Sequence, residues 1–462
     1  MHANHKHKSA QQQLIGQRVR GTDAHTFFNL LTSERWLDTV ESLLPTHRER
    51  LFPPTETLSM FMAQSLGADR SCQQAVDTAS VKRVMSGLSP CSTHTGAYCR
   101  ARTRLPTSMV STLTRTAGQS IASDAPSSWH WRNRPVRLVD GTTVTLPDTA
   151  ANQAAYPQSH NQKTGLGFPI CRIVGLVCLG SGAVLDVAFG RYAGKGNDEQ
   201  SLLRTLLDTL ARGDVLIGDA FYATYFLLCQ LQTRGVDAVF EQHGSRSHTT
   251  DFRRGRRLGT RDHLIVLKKP VRRPPWMLQT AYEDAPAQIT VRELHTGSKT
   301  LMTTLLCPKQ TDKAALKSLY QSRWHVELDL RNIKTTLGME HLSCQTPAMA
   351  AKEIWVYLLA YNVIRLMMAD AARHTGGLPR QISFKHTVQI WVAWHAFTGH
   401  IVDDETHKCM LVLIAQQRVG TRPNRVEPRA IKRRPKCFAL LTVSRQEARA
   451  KIAKHGHPKK LK

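Results

Sequence analysis

Apolar residues recur at helical spacing through the first 130 positions: Phe27, Phe28, Leu30, Leu31, Trp36 and Leu37, then Leu58, Met60, Phe61, Met62 and Leu66. A third helix is expected from about Asp69 to Met85, where Ser86-Gly87-Leu88-Ser89-Pro90 breaks the pattern. A short basic segment follows, Tyr98 to Arg104, carrying Arg100, Arg102 and Arg104 and stopped by Pro106. Helix, turn and short basic helix read either as a DNA-reading pair or as an ordinary helical bundle with a solvated basic face.

At Arg134 the period changes. Val136 to Val139 reads as a strand ending at Asp140, with a turn at Gly141-Thr142-Thr143 and a continuation at Val144 to Leu146. Pro169 to Leu179 and Ala183 to Phe189 form two further strands across Gly180-Ser181-Gly182, a hairpin signal. Asn197 and Asp198 cap a helix expected over about Glu199 to Ala211. Asp214 to Asp219 is a buried-type strand, followed by a helix from about Ala223 to Thr233 and a strand from Val236 to Glu241. Three strands, helix, strand, helix, strand fit an α/β layer whose first three strands are antiparallel. From His243 to Leu306 the chain is strand-rich and irregular, at Leu264 to Leu267, Ile289 to Leu294 and Thr300 to Leu306. Helical periodicity returns from Thr311 to about Ala372 and from about Thr387 to Phe397.

Composition narrows the partners. In 462 residues, Lys and Arg outnumber Asp and Glu by 28, and 41% of the chain is apolar, enough for a packed core. Arg246 to Arg273 and the tail from Arg418 together hold 21 of those 28 charges, which favours a footprint on a polyanion, most often nucleic acid. The tail's Pro, Arg and Lys content predicts poor order on its own. Met1 to Gln13 is polar and lacks the apolar core of a signal peptide. Ile354 to Ala369 is too short for a span and contains Asn362 and Arg365, so a buried helix is expected and no membrane partner. The ten cysteines are scattered without a C-x-x-C pair and read as reduced, cytosolic thiols. His94 with Cys91 and Cys99, and His341 with Cys344, fit no recurring zinc spacing.

Asp140 and Asp219 both stand at expected strand ends, where α/β sheets build sites and where Asp also serves as a turn former. On the helix after Thr311, Tyr320, Arg323, Glu327, Arg331 and Lys334 fall within an arc of roughly 80° at about 100° per residue. Leu319, Val326, Leu330, Ile333 and Leu337 form the apolar stripe beside it. Such a face reads either as a surface ion-pair ladder or as a lone acid held among cations. Three carboxylates suit hard divalent cations, and two ions about 3.5–4 Å apart can drive phosphoryl transfer.

Tyr320-x2-Arg323-x3-Glu327-x6-Lys334 resembles the YREK signature of bacterial insertion-sequence transposases, the insertion-sequence-four group of DDE recombinases. Asp140-Gly-Thr-Thr and Ile217-Gly-Asp-Ala-Phe-Tyr222 resemble that group's two Asp motifs, so the likeness runs from about Asp140 to Tyr361. The resemblance implies an α/β, ribonuclease-H-like core interrupted by a β-rich insertion between Asp219 and Glu327, which lie 108 positions apart. Taken with the periodicity and charge, the chain is expected to divide into a helical N-terminal DNA-binding region at 1–130, core at 131–242, insertion at 243–310, core completion with C-terminal helices at 311–400, and a basic tail at 401–462. Asp140, Asp219 and Glu327 would hold Mg²⁺ or Mn²⁺, two ions in all, with Tyr320, Arg323 and Lys334 completing the catalytic set. Implied partners are double-stranded DNA, at transposon ends and target, and a second copy of the chain in the synaptic complex, within the bacterial cytoplasm.

Candidate DNA contacts are Arg100, Arg102, Arg104, Arg253, Arg254, Arg256, Arg257 and Arg331. Trp276 either stacks on a flipped base or packs under its Pro-rich loop. Ser159 to Lys163 reads as a DNA contact or a polar hairpin tip. Gly190 to Asp198 is Gly-rich without nucleotide-loop spacing, so no nucleotide cofactor is expected.

Overall fold

The computed structural model describes residues 34–47, 51–67, 69–247, 249–398, 404–420 and 441–456. Met1 to Gln13, the apolar recurrence at Phe27, Phe28, Leu30 and Leu31, and tail residues 421–440 and 457–462 lie outside the described residues.

A mixed sheet of nine strands forms the middle layer, in the order β3-β2-β1-β4-β5-β9-β8-β7-β6. β1 (Val136–Thr145), β2 (Ile170–Cys178) and β3 (Val184–Arg191) pair antiparallel, as the hairpin signal implies. β4 (Val215–Gly218) and β5 (Asp237–Glu241) run parallel to β1 on its other side. β6 (Arg256–Gly259), β7 (Asp262–Lys268), β8 (Gln288–His295) and β9 (Thr300–Thr303) form an antiparallel meander that joins β5 through β9. The strands between 243 and 310 therefore extend the same sheet.

One strand differs from expectation in a way that matters. β1 does not end at Asp140, and Gly141-Thr142-Thr143 is not a turn. β2 pairs with β1 from Arg137 to Thr145 and holds that segment extended. On the other edge β4 accompanies β1 only as far as Leu138. Asp140 is thus inside a rigid strand yet past the end of its parallel neighbour.

The N-terminal helices are α1 (Glu34–Ser42), α2 (Pro54–Leu66), α3 (Cys72–Met85), α4 (Gly96–Arg104) and α5 (Thr107–Ser123). Ser71 caps α3 by accepting from Gln74 N at 3.1 Å. Along the rest of the chain come α6 (Ala150–Ala155), α7 (Glu199–Arg204), α8 (Tyr225–Thr233), α9 (Gly244–Ser247), α10 (Gln279–Asp284), α11 (Lys313–Gln321), α12 (Trp324–Arg331), α13 (Pro347–Thr375), α14 (Phe384–Thr398), α15 (Asp404–Gln416) and α16 (Arg445–His455). α7 stops well short of Ala211 and a 3-10 turn at Leu207–Thr209 follows, since Thr205 Oγ1 donates to the Leu202 carbonyl at 2.7 Å and competes with the helix. The tail, expected to lack order, contains α16, capped by Ser444.

Two cores flank the sheet. Leu138 and Ile217 face one of them, shared with Leu58 and Phe61 of α2, Leu113 of α5, Val326 and Leu330 of α12, and Tyr357 of α13. Val139 and Leu216 face the other, under α7 and α8. Because α2 and α5 share a core with α13, residue 130 marks no break in packing. α13 is long and apolar enough to cross a membrane, yet 94% of its apolar window is buried in the fold. Its polar residues are satisfied there: Asn362 accepts from Val184 N and donates to the carbonyls of Thr114 and Val184, and Arg365 pairs with Asp329. It is a core helix, as its sequence implied.

Candidate active site

Register places the first two acids. Leu138 pairs in parallel with Ile217, so Asp140 and Asp219 each stand two residues past the same rung. Strand alternation then sets their surroundings. Asp140 follows Leu138 onto the α12 face, while Gly141 faces α7. Asp140 Oδ1 accepts from Gly141 N at 2.8 Å, and Asp219 Oδ1 accepts from Phe221 N at 2.9 Å, which fixes each carboxylate against its own backbone.

Glu327 arrives from across the cleft. The helix predicted from Thr311 onward is three pieces: α11 ends at Gln321, α12 begins at Trp324, and a π-turn spans Asn332–Thr336. Ser322 and Arg323 keep right-handed helical dihedrals, so the direction is preserved. The apolar stripe docks as its spacing implies, with Leu319, Val326, Leu330, Ile333 and Leu337 buried. On the side of α12 turned away from Glu327, fully buried Asp329 accepts from Arg365 Nη2 at 2.5 Å and from Arg380 Nη1 at 2.7 Å. Arg380 also donates to the Cys178 and Leu179 carbonyls, which ties the helix to the end of β2.

Arg323 joins the acids. Its Nη2 donates to Glu327 Oε1 at 2.7 Å and its Nη1 lies 3.7 Å from Asp140 Oδ2. Burial opposes the guanidinium's charge, but the bond to Glu327 and the charge of Asp140 overcome it and push its pKa up. A cleft of about 270 Å³ opens between β1 and α12, lined by Asp140, Glu327, Arg331, Lys334 and Glu340. Burial pushes the Asp140 carboxyl up to about 6, and the charges of Asp219 and Glu199 add to it. Tyr320 belongs to a neighbouring contact: its hydroxyl donates to Glu241 Oε2 at 3.1 Å, which also pairs with Lys299, and burial raises its pKa.

The structure thus brings Asp140, Arg323, Glu327, Arg331 and Lys334 together, with Asp219 level with Asp140. Among the described residues no group of three or more His, Cys, Asp or Glu is close enough to hold a metal ion as it stands, the zinc candidates included. The donor set nevertheless suits one: buried carboxylates repel one another, and a hard divalent cation would relieve that repulsion.

The DNA candidates divide. Arg100 and Arg104 are exposed on α4, and Arg253, Arg254, Arg256 and Arg257 are exposed on and before β6. Arg102 is a correction: its guanidinium donates to Gln64 Oε1 and Cys72 Sγ and lies over the Phe61 and Tyr98 rings, so it is consumed by the N-terminal core. Trp276 is 41% exposed, but the Arg204 guanidinium covers one ring face at 3.5 Å and Phe226 meets it edge-on, which leaves that face closed to a base. Sequence reasoning passed over Glu199, read only as the start of a helix. No local pattern marks it, because its closeness to Gly141 exists only once the sheet has formed.

The family model of the transposase DDE domain matches residues 131–363, from before β1 to within α13. The chain belongs to the DDE transposase family. It is a DNA-cutting and DNA-transferring enzyme, and divalent metal ions are general to that family. Transposase InsG for insertion sequence element IS4, from Escherichia coli (strain K12), is 27% identical over 359 residues, covering 73% of this chain and 76% of that one. A solved piggyBac transposase synaptic complex with hairpin DNA is similar at TM-score 0.41 and 11% identity, covering 90% of this chain and 88% of that one. Both Asp motifs and all four YREK positions of this transposase fall inside the matched segment.

Proposed function

We propose that this transposase binds the terminal inverted repeats of its element, cuts DNA at both ends and joins them to target DNA by phosphoryl transfer. The observation that carries the reading is the meeting of Asp140 and Glu327 on one guanidinium, with Asp219 at the same level of the sheet. A ribonuclease-H-like core is supported by the order β3-β2-β1-β4-β5, with β4 and β5 parallel to β1 and β2 antiparallel.

Asp140, Asp219 and Glu327 would hold the metal, Mg²⁺ or Mn²⁺, as two ions. Bound there, the ions would supply activation of the attacking oxygen and stabilisation of the leaving one. The protein's own part is positional. The strand fixes Asp140, the turn after β4 fixes Asp219, and the buried pairs of Asp329 set the rotation of α12. Arg331 and Lys334 line the open side of the cleft and would hold the phosphates flanking the reacting one. Strand transfer exchanges one phosphodiester for another, so no nucleotide cofactor is required. The synaptic complex would be a homodimer in the bacterial cytoplasm.

The test combines gel shift with Mg²⁺-dependent cleavage on duplexes taken from the element's flanks. Replacing Asp140, Asp219 or Glu327 with Ala is expected to abolish cleavage and leave end binding largely intact. Cleavage that survives any of the three replacements overturns the assignment.

A further inference from the structure

A fourth acid, Glu199, stands at the strand ends and the reading above makes no use of it. It enters from the sheet face opposite Glu327, as the first residue of α7, whose N-terminus Asp198 caps through Ser201 N at 3.0 Å. A Cβ built on Gly141 would lie 2.3 Å from Glu199 Cδ and 2.4 Å from its Oε1. This carboxylate occupies the space a side chain at position 141 would enter, and such a side chain would displace it. From the other side, the hydroxyl of buried Tyr222, three residues past Asp219, donates to Glu199 Oε2 at 3.3 Å. The next residue, Gln200, holds the turn that carries Asp219: its amide donates to the Phe221 carbonyl and its oxygen accepts from Thr224 Oγ1 at 2.9 Å. Glu199 thus lies against the residue after Asp140 and is hydrogen-bonded to the segment after Asp219. Glu199 is half-buried, and that burial raises its carboxyl, with the charge of Arg172 offsetting the effect only in part and that of Asp219 adding to it. A half-buried carboxylate held near two others is costly, and a divalent cation joining them would relieve that cost.

We propose that Glu199 is a fourth carboxylate of the divalent-metal centre, completing it from the α7 side as Glu327 does from the α12 side. The inference rests on the metal-dependent reading above, and its test separates the two. The probe is Mn²⁺ alone, titrated calorimetrically into the full-length protein. Glu199→Gln keeps an acceptor for Tyr222 and so keeps the turn after Asp219, and thermal melting checks this. Gly141→Ala leaves all four acids in place but drives the Glu199 carboxylate away. Each is expected to weaken Mn²⁺ binding by about tenfold or more, within the range for groups that support a metal site. Asp208→Asn, at an exposed carboxylate paired with Arg234, is expected to bind as wild type does. Wild-type affinity in Glu199→Gln, with Asp140→Asn impaired, overturns the role of Glu199 alone. Wild-type affinity in Asp140→Asn overturns the metal centre itself.

Discussion

Asp140 concentrates the electrostatic cost of the cleft. Burial first, then the charges of Asp219 and Glu199, raise its carboxyl from 3.8 to about 6. In the metal-free protein the folded state holds this proton more tightly than the unfolded chain does. The group's contribution to stability is therefore complete at about pH 4 and is lost as pH rises through about 6. Asp140→Asn removes the charge, so it is expected to stabilise the metal-free protein at pH 7.5 by about 1–2 kcal/mol, less than the full shift because the Arg323 contact weakens. Denaturant unfolding measures this, and the gain should vanish near pH 4. An Asn variant less stable than wild type at pH 7.5 contradicts it. Asp140, Asp219 and Glu327 were visible in the sequence as candidates, because Asp beside Gly at an apolar strand and a lone Glu among cations are local patterns. Glu199 was not, since its place depends on a contact across β1 that only the sheet creates.

At the scale of elements, the buried strands were readable as continuous apolar runs, and the order of three strands, helix, strand, helix, strand held apart from the short α6 that stands between β1 and β2. β1 misled because Gly141-Thr142-Thr143 carries turn residues, while β2, remote in sequence, imposes extension. β6 was missed because Arg256 and Arg257 lie exposed at the sheet edge and leave no apolar signature. The helix that carries Glu327 was found by its stripe, but its division at Ser322 and Arg323 has no signal in the period. That helix is held by its far side. Asp329→Ala leaves Arg365 and Arg380 without their shared carboxylate and is expected to cost about 3–5 kcal/mol in chemical unfolding. A loss below 1 kcal/mol would show that the pairs do not anchor α12. Lys334, on the π-turn, is expected to contact phosphate: Lys334→Ala should weaken DNA binding and reduce the slope of log affinity against log salt by about one. An unchanged slope counts against the contact.

Across the whole molecule, charge is divided between a sheet extension and a tail. On the proposed reading, the exposed arginines around β6 and the basic segment after Arg418 would give phosphate contacts without base reading, and Arg100 and Arg104 on α4 would read the element's ends. Deleting residues after Arg418 is expected to weaken binding to end and random duplexes by similar factors. Loss of end preference with random binding intact would reverse the assignment. The organising claim, however, is a single metal centre built by two sides of one sheet. Manganese anomalous diffraction from crystals of the protein grown with Mn²⁺ and end DNA tests it most directly. The account expects a peak roughly 2–2.5 Å from carboxylate oxygens of Asp140 and Asp219, with Glu327 at the same centre. A peak bound away from all three acids, in crystals whose DNA has been cut, would contradict it.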